Sequence, residues 1–121
     1  MAMALSQRLT SSHFPYLPLQ LQVGGRTHEV EALLDTGFDG DVAASTQLMP
    51  ANQTPDAYVP CVLADGSELL TPVYRGVAQV GDLSSFAVAV IAIGDETLVG
   101  RGVSDRFTII LDHGKKLIVE L

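Results

Sequence analysis

An aspartate ends an apolar run in the first third of the chain, where Ala32–Leu34 is followed by Asp35-Thr36-Gly37. A carboxylate at the end of a buried run loses hydration unless it is paired, hydrogen-bonded or used in chemistry. It could act as a general acid or base, and the following glycine allows a sharp turn or a close approach of another backbone. Asp and Gly also favour ordinary turns, so the motif needs the context of the other segments.

The composition is that of one globular domain. The chain has 121 residues, 47% of them hydrophobic, without the excess of Pro, Gly or charge that is typical of disorder. Seven basic and fourteen acidic residues give a net charge of -7. Such a charge opposes binding to nucleic acids and to anionic membranes, so we expect neither as a partner.

Cysteine and histidine usage argues against disulfides and zinc sites. Cys61 is the only cysteine, and the three histidines follow no spacing typical of zinc ligands. Residues 1–13 lack the apolar core of a signal peptide, and no later segment is long enough to span a membrane. These features predict a cytoplasmic protein without a metal site, in which Cys61 is an inert, buried residue.

Short strands separated by turn residues fill most of the chain. Residues 16–23 alternate between apolar and polar side chains, and Gly24-Gly25 predicts a tight hairpin to residues 26–34. The run Phe86–Ile93 is almost continuously apolar and predicts a strand at the centre of the core. Further strands are expected at 58–63, 71–80, 107–112 and 116–121. No long segment has helical periodicity, so we predict an all-β closed sheet with one short helix at most.

One domain is expected over residues 16–121. Residues 1–15 form an N-terminal arm, and the segment up to residue 12 is polar and without pattern. Such an arm is flexible unless another surface captures it.

Two further segments stand out. Asp65-Gly66 is the strongest hairpin dipeptide of the chain and lies between apolar segments. Leu98-Val99-Gly100 is a second apolar run that stops at glycine, and it looks like a counterpart of the run that ends at Asp35.

The order and spacing of these three segments resemble those of the retropepsin-like aspartic proteases, the single-lobed relatives of pepsin. Residues 32–37 look like the catalytic loop of that family, and Leu98-Val99-Gly100-Arg101 looks like its second apolar element. The Asp65-Gly66 hairpin occupies the place of the flap, and its sequence is similar to that of small prokaryotic members. The resemblance covers nearly the whole chain and implies a closed β-barrel with a single lobe.

The resemblance also implies residue roles. Asp35 is expected to be the catalytic aspartate, Thr36 to hydrogen-bond across a two-fold axis, and Gly37 to admit the substrate backbone. Because the chain has one such motif, the second aspartate must come from another subunit, which implies a C2 homodimer. The N-terminal arm and strand 117–121 are candidates for the sheet between subunits, and the sequence leaves this open.

Substrate contacts follow from the same resemblance. Asp39 and Arg101 fall where the family places an ion pair beside the cleft, although Asp39 could also be a solvated turn residue. The flap is expected to close over an extended peptide and to hydrogen-bond its backbone. Its tip comprises Ala64, Asp65, Gly66 and Ser67.

The implied activity is that of an aspartic endopeptidase without a cofactor. Two carboxylates about 3 Å apart cannot both ionise, so the dyad keeps one proton. The ionised aspartate then activates a water, and the protonated one polarises the scissile carbonyl. The alternative is a binding or dimerisation module that keeps the fold with weak turnover.

Overall fold

Nearly all regular structure in the chain is β, as the alternating sequence predicts. The computed structural model describes residues 7–121. Within these residues, one 3-10 turn, Thr46–Leu48, and one α-helix, α1 (Arg101–Ser104), accompany ten strands. The strands are β1 (Arg8–Ser11), β2 (Tyr16–Val23), β3 (Arg26–Leu34), β4 (Val42–Ala44), β5 (Ala57–Val62), β6 (Glu68–Val80), β7 (Phe86–Ala92), β8 (Leu98–Val99), β9 (Thr108–Asp112) and β10 (Lys116–Glu120).

Six of the strands close a barrel, which confirms the predicted all-β closed sheet. The strand order is β2-β3-β8-β4-β7-β6, and β2 pairs with β6 to close the ring. Strand β5 adds to the outer edge of β6 and forms a hairpin with it. Closure of the ring removes the open edges that an isolated sheet would expose.

Alternation places one face of each barrel strand in the core. In β2, Leu17, Leu19, Leu21 and Val23 are all buried, while the residues between them face outward. The predicted turn at Gly24-Gly25 is confirmed, since both glycines have positive φ and Val23 pairs with Arg26. A two-residue turn of this kind needs left-handed backbone at both positions.

Strand β7 differs from the prediction that it lies at the centre of the core. Val88, Val90 and Ala92 are buried, but Ala87 and Ala89 are exposed. The reason is topological: a barrel wall has one inner and one outer face, and within residues 7–121 no second layer covers the outer face of β7. A continuous apolar run therefore does not require burial on both sides.

A separate three-stranded sheet has the order β1-β10-β9. Its inner face adds Leu117 and Val119 to the core, and Leu9 and Ile109 pack against them. The expected N-terminal arm lies partly outside the described residues, at positions 1–6. From position 8 the arm forms strand β1, which pairs with β10 of the same chain.

Strand β8 sits between β3 and β4 although it follows them in sequence by more than fifty residues. It runs parallel to β3 and antiparallel to β4. The loop that joins β3 to β4, residues 35–41, must therefore pass around the end of β8. No helix in residues 7–121 has the length and apolarity needed to cross a membrane.

Candidate active site

The two apolar runs singled out in the sequence lie side by side. Leu33 pairs with Leu98 and Leu34 with Val99 in the parallel β3–β8 ladder. The Asp35 amide extends this ladder by donating to the Val99 carbonyl oxygen at 2.9 Å. The carboxylate of Asp35 is thus carried by the first residue beyond a strand that is fixed on both sides.

The Asp35 carboxylate has one oriented oxygen and one open oxygen. Its Oδ1 accepts a hydrogen bond from the Gly37 amide at 3.0 Å, and the Asp35 carbonyl accepts one from the Phe38 amide at 3.2 Å. Within residues 7–121, Oδ2 has no hydrogen-bond partner. Asp35 itself is half-buried, whereas Thr36 and Gly37 are exposed. The carboxylate is therefore held in one orientation with an oxygen available to solvent, a substrate or another chain.

Three consecutive amides fasten the loop from the other side. Gly100, Arg101 and Gly102 donate their N–H groups to carbonyl oxygens of Asp41, Phe38 and Gly40, at distances of 2.9, 2.8 and 3.0 Å. These bonds connect the end of β8 and the start of α1 to the second half of the 35–41 loop. Because three backbone hydrogen bonds hold the loop, it has little conformational freedom.

Glycine is required at the crossing of these two segments. A Cβ on Gly100 would overlap the Gly40 carbonyl oxygen and come within 2.6 Å of the Phe38 carbonyl oxygen. A Cβ on Gly102 would overlap the Asp41 carboxylate. Both contacts involve atoms that are held by hydrogen bonds, so these neighbours cannot easily move aside.

Asp41 is a positioning residue that the sequence reasoning missed. Its Oδ2 accepts the Ala89 amide of β7 at 2.8 Å, and its carbonyl accepts the Gly100 amide. One residue thus joins β7, β8 and the Asp35 loop. The sequence did contain a signal for this role. Asp41 directly precedes the apolar residues Val42–Ala44, which form a fully buried strand. An acid in that place needs hydrogen-bond or charge partners.

The expected ion pair between Asp39 and Arg101 is not formed, and this expectation is corrected. Among the described residues, the guanidinium of Arg101 pairs with Asp105, at 3.6 Å between Nη2 and Oδ2. Helix α1 places Asp105 one turn beyond Arg101, so the two side chains share a face. Arg101 contacts the loop through its backbone amide instead, and Asp39 is exposed.

The hairpin between β5 and β6 is present, and its tip is ordered by Asp65. Oδ1 of this residue accepts both the Ser67 amide, at 2.9 Å, and the Ser67 hydroxyl. These two bonds lower the pKa of Asp65, the hydroxyl having the larger effect. The Gly66 amide donates to Leu63, and Gly66 has a φ of +86°. The turn is thus longer than the two-residue turn typical of Asp-Gly.

The four predicted tip residues are all exposed, and none of their hydrogen bonds reaches the Asp35 loop. The structure therefore groups the predicted site residues into two sets. One is the loop of Asp35, Thr36, Gly37 and Asp39, fastened by the backbone of Arg101; the other is the hairpin tip, Ala64, Asp65, Gly66 and Ser67.

Cys61 lies in β5 of the same hairpin and is half-buried, so the expectation of a buried cysteine is corrected. A hairpin that projects from a barrel has no core of its own in which to bury a side chain. Within residues 7–121, no three His, Cys, Asp or Glu side chains converge in a way that would hold a metal ion.

Comparisons with known proteins bear on the fold. Neither the protein-family models nor the curated proteins that were searched give a match to the sequence. The chain is similar to the crystal structure of a retropepsin-like aspartic protease from Rickettsia conorii, with a TM-score of 0.66 and 15% identity over 98% of this chain and 96% of that one. It is also similar to the solution structure of a simian foamy virus (mac) protease, with a TM-score of 0.51 and 19% identity over 73% of this chain and 91% of that one.

The first of these structures is a retropepsin-like aspartic protease and the second is a protease, and the first aligns with almost the entire chain. The single closed barrel is the architecture that the sequence resemblance implied, and the β5–β6 hairpin turns at the Asp65-Gly66 dipeptide that the sequence predicted. The chain therefore has the retropepsin-like fold of the aspartic proteases.

Proposed function

We propose that the chain is an aspartic endopeptidase that acts as a C2 homodimer, with a water activated between two Asp35 carboxylates, one from each subunit. The observation that carries the proposal is the state of Asp35 itself. The residue ends a fixed strand, Oδ1 is oriented by Gly37, and Oδ2 has no partner within the described chain. The open oxygen Oδ2 thus adds no hydrogen bond among the described residues of one subunit.

A second copy of the loop would complete the site. Thr36 and Gly37 are exposed beside Asp35, which leaves this tip free to face an identical tip across a two-fold axis. Two carboxylates about 3 Å apart share one proton, so one serves as base toward water and the other donates to the scissile carbonyl. As the C–N bond breaks, the base gives its proton to the leaving amine, and the other carboxylate takes back a proton from a hydroxyl of the tetrahedral intermediate, which restores the shared proton. No step calls on a metal or another cofactor.

The hairpin supports a peptide as the substrate. Its strands expose apolar side chains on both faces, and the ladder between β5 and β6 extends to the tip. An extended peptide can cover such side chains while the hairpin backbone and the Ser67 region bind its main chain. The exposed apolar residues are Tyr58 (55%), Val62 (70%), Leu63 (41%), Leu69 (47%) and Leu70 (66%).

We also propose that the enzyme works in the cytoplasm, since its single cysteine allows no disulfide within the chain. The net charge of -7 makes protein substrates more suitable than nucleic acids. Cell fractionation with an antibody against the protein tests the location.

The first prediction concerns Asp35→Asn, which removes the acid–base function but keeps the size of the side chain. Cleavage of an unfolded protein at about pH 4–6 should fall by at least about 10³-fold. The melting temperature should stay close to that of the wild type. Asp82→Asn, in the turn between β6 and β7, is the matched control and should cleave normally.

Mixing the two proteins tests whether the site is shared. If subunits exchange at random, an equimolar mixture of wild type and Asp35→Asn should have about a quarter of the activity of wild type at the same total protein concentration. The reason is that only the wild-type pairs, about a quarter of all dimers, have both carboxylates. Separate sites in each chain would leave about half. Equal cleavage by Asp35→Asn and wild type would refute the proposal and favour a binding or dimerisation module.

A further inference from the structure

The last strand of the chain has no free edge. In the three-stranded sheet, β10 lies between β1 and β9, and Leu117 pairs with Ser11 on one side and with Leu111 on the other. A strand from another subunit could join β10 only by displacing one of these neighbours. Within residues 7–121, the edges that remain open in this sheet are those of β1 and β9.

The two open edges differ in character. Strand β1 carries Arg8 and Thr10 as exposed residues, and Arg8 forms an ion pair with Glu120 at 3.5 Å. Charged side chains on an edge are a common protection against pairing. Strand β9 contains no Lys, Arg or Pro and exposes Ile110 (40%) and Leu111 (59%). β9 is thus the more apolar edge, and its one charged residue, Asp112, lies at its end.

Strand β9 is also close in sequence to the candidate site. Helix α1 begins at Arg101, whose amide holds the Asp35 loop at Phe38. The helix ends at Ser104, a hydrogen bond from Phe107 to Ser104 closes the next turn, and β9 starts at Thr108. Three residues therefore separate the fastened helix from β9, so a chain bound at β9 is held at a defined distance from the Asp35 loop.

We propose that β9 pairs in antiparallel fashion with β9 of a second copy, and that this pairing joins the two subunits that share the active site. The inference rests on the proposed function, which requires two Asp35 loops. It assigns the sheet between subunits to an internal strand, not to the chain-terminal strand β10. The joined sheet would have six strands.

A symmetric register is available to this pairing. When a two-fold axis passes through Ile110, all five residues of β9 pair, and Thr108 lies opposite Asp112 of the second copy, so no like charges meet. Thr10, Ile118 and Ile110 already form one cross-strand row in the sheet. Pairing through Ile110 continues this row into the second subunit.

Ile110→Glu tests the interface, because it places two carboxylates opposite each other on the axis. Sedimentation should show dimerisation weakened by at least about tenfold, since like charges directly opposite are destabilising. Cleavage measured at the same concentration should fall with the dimer fraction. The matched control is Thr10→Glu, an equally exposed change in the same row at the opposite edge, which should dimerise as the wild type does.

Cross-linking gives a second measurement that does not depend on a disruptive variant. In a Cys61→Ser background, Ile110→Cys should form a disulfide-linked dimer on mild oxidation, because directly opposite Cβ atoms lie about 4.5–5.5 Å apart, near the range that a disulfide spans. Thr10→Cys in the same background should not. Equal or faster cross-linking through Thr10, or unchanged dimerisation of Ile110→Glu, would overturn the assignment.

Failure of this inference can be separated from failure of the proposed function. If Ile110→Glu remains dimeric and active while Asp35→Asn is inactive, the β9 assignment is wrong and the shared site stands. If the Ile110→Cys dimer forms but the wild type cleaves no better than Asp35→Asn, the interface stands and the peptidase proposal falls.

Discussion

The Asp35 loop owes its geometry to small residues and backbone bonds more than to charged side chains. Gly100 and Gly102 allow the end of β8 to pass against the loop, and Asp41 joins the loop to β7. The one ion pair of Arg101 lies on the surface with Asp105, where such pairs contribute little. Substitutions at the glycines should therefore matter more than loss of that pair.

Two alanine substitutions separate folding from access to the site. Gly100→Ala should lower the free energy of unfolding by at least about 1–3 kcal/mol, because the new methyl group overlaps hydrogen-bonded carbonyls. Gly37→Ala meets only Asp35 Oδ1, at 3.3 Å, so it should fold with a change of at most about 1 kcal/mol. It should nevertheless lose cleavage, since the methyl group lies where the substrate backbone is proposed to approach.

Urea unfolding and peptide cleavage, measured on both variants, check this pair of outcomes. Normal stability of Gly100→Ala would show that the loop can shift away from β8. Full activity of a folded Gly37→Ala would mean that the substrate does not pass close to this residue.

At the level of elements, β6 connects the barrel to the hairpin. Its thirteen residues pair with β7 and β2 at one end and with β5 at the other. Gly76 permits the closing contact with β2, because a Cβ there would lie 2.7 Å from the Gln22 carbonyl oxygen. The rigid half of β6 is thus continuous with the exposed half that carries the hairpin tip.

The tip should respond to acid through Asp65. Its pKa lies below the ordinary value of 3.8 because Ser67 donates two hydrogen bonds to the ionised form. The stabilisation is therefore complete above about pH 4, and it is lost as the pH falls through the lowered pKa of the folded protein. Ser67→Ala removes the larger of the two bonds, so it should raise the pKa of Asp65 toward 3.8.

Carbon NMR of the Asp65 carboxyl group, recorded during a titration with acid, measures this shift directly. Ser84→Ala, a change at an exposed serine elsewhere, should leave the titration unaltered. An identical midpoint in Ser67→Ala and wild type would mean that the hydroxyl does not stabilise the carboxylate in solution.

For the whole molecule, charge opposes the association that the proposed active site requires. Each chain has a net charge of -7, so two copies repel each other at long range. A five-residue strand pair is a small contact, well below the roughly 1,200–2,000 Å² typical of stable interfaces unless the Asp35 loops and hairpins also meet. The dimer should therefore depend on concentration and on ionic strength.

Specific activity should fall on dilution and recover when salt is added. Raising NaCl from about 0.05 M to about 0.5 M shortens the screening length from more than about 10 Å to less than about 5 Å, which weakens the repulsion. Sedimentation at both salt concentrations should show a tighter dimer at the higher one. A weaker dimer in high salt would indicate that contacts between opposite charges hold the interface.

Local sequence patterns determined strands β2 and β3 of this protein, the turn between them and the place of the acid. Alternation in residues 16–34, the paired glycines between them and the acid at the end of the run depend on neighbouring residues only, and each appears where it was expected. The all-β closed sheet followed from the succession of these patterns, and the retropepsin-like fold followed from their resemblance to a known family. Periodicity reports which face of a strand is buried, because side chains alternate along it.

Only the tertiary structure decided which segments meet. The Asp41 carboxylate receives an amide from Ala89, forty-eight positions away, and no local pattern encodes that bond. Strand order decides two further features in the same way: the exposed outer face of β7 and the position of β10 between β1 and β9. Hydrogen-bond ladders pair strands across any sequence distance, so the neighbours of Asp35, and the edge left free for a second copy, emerge only from the folded barrel.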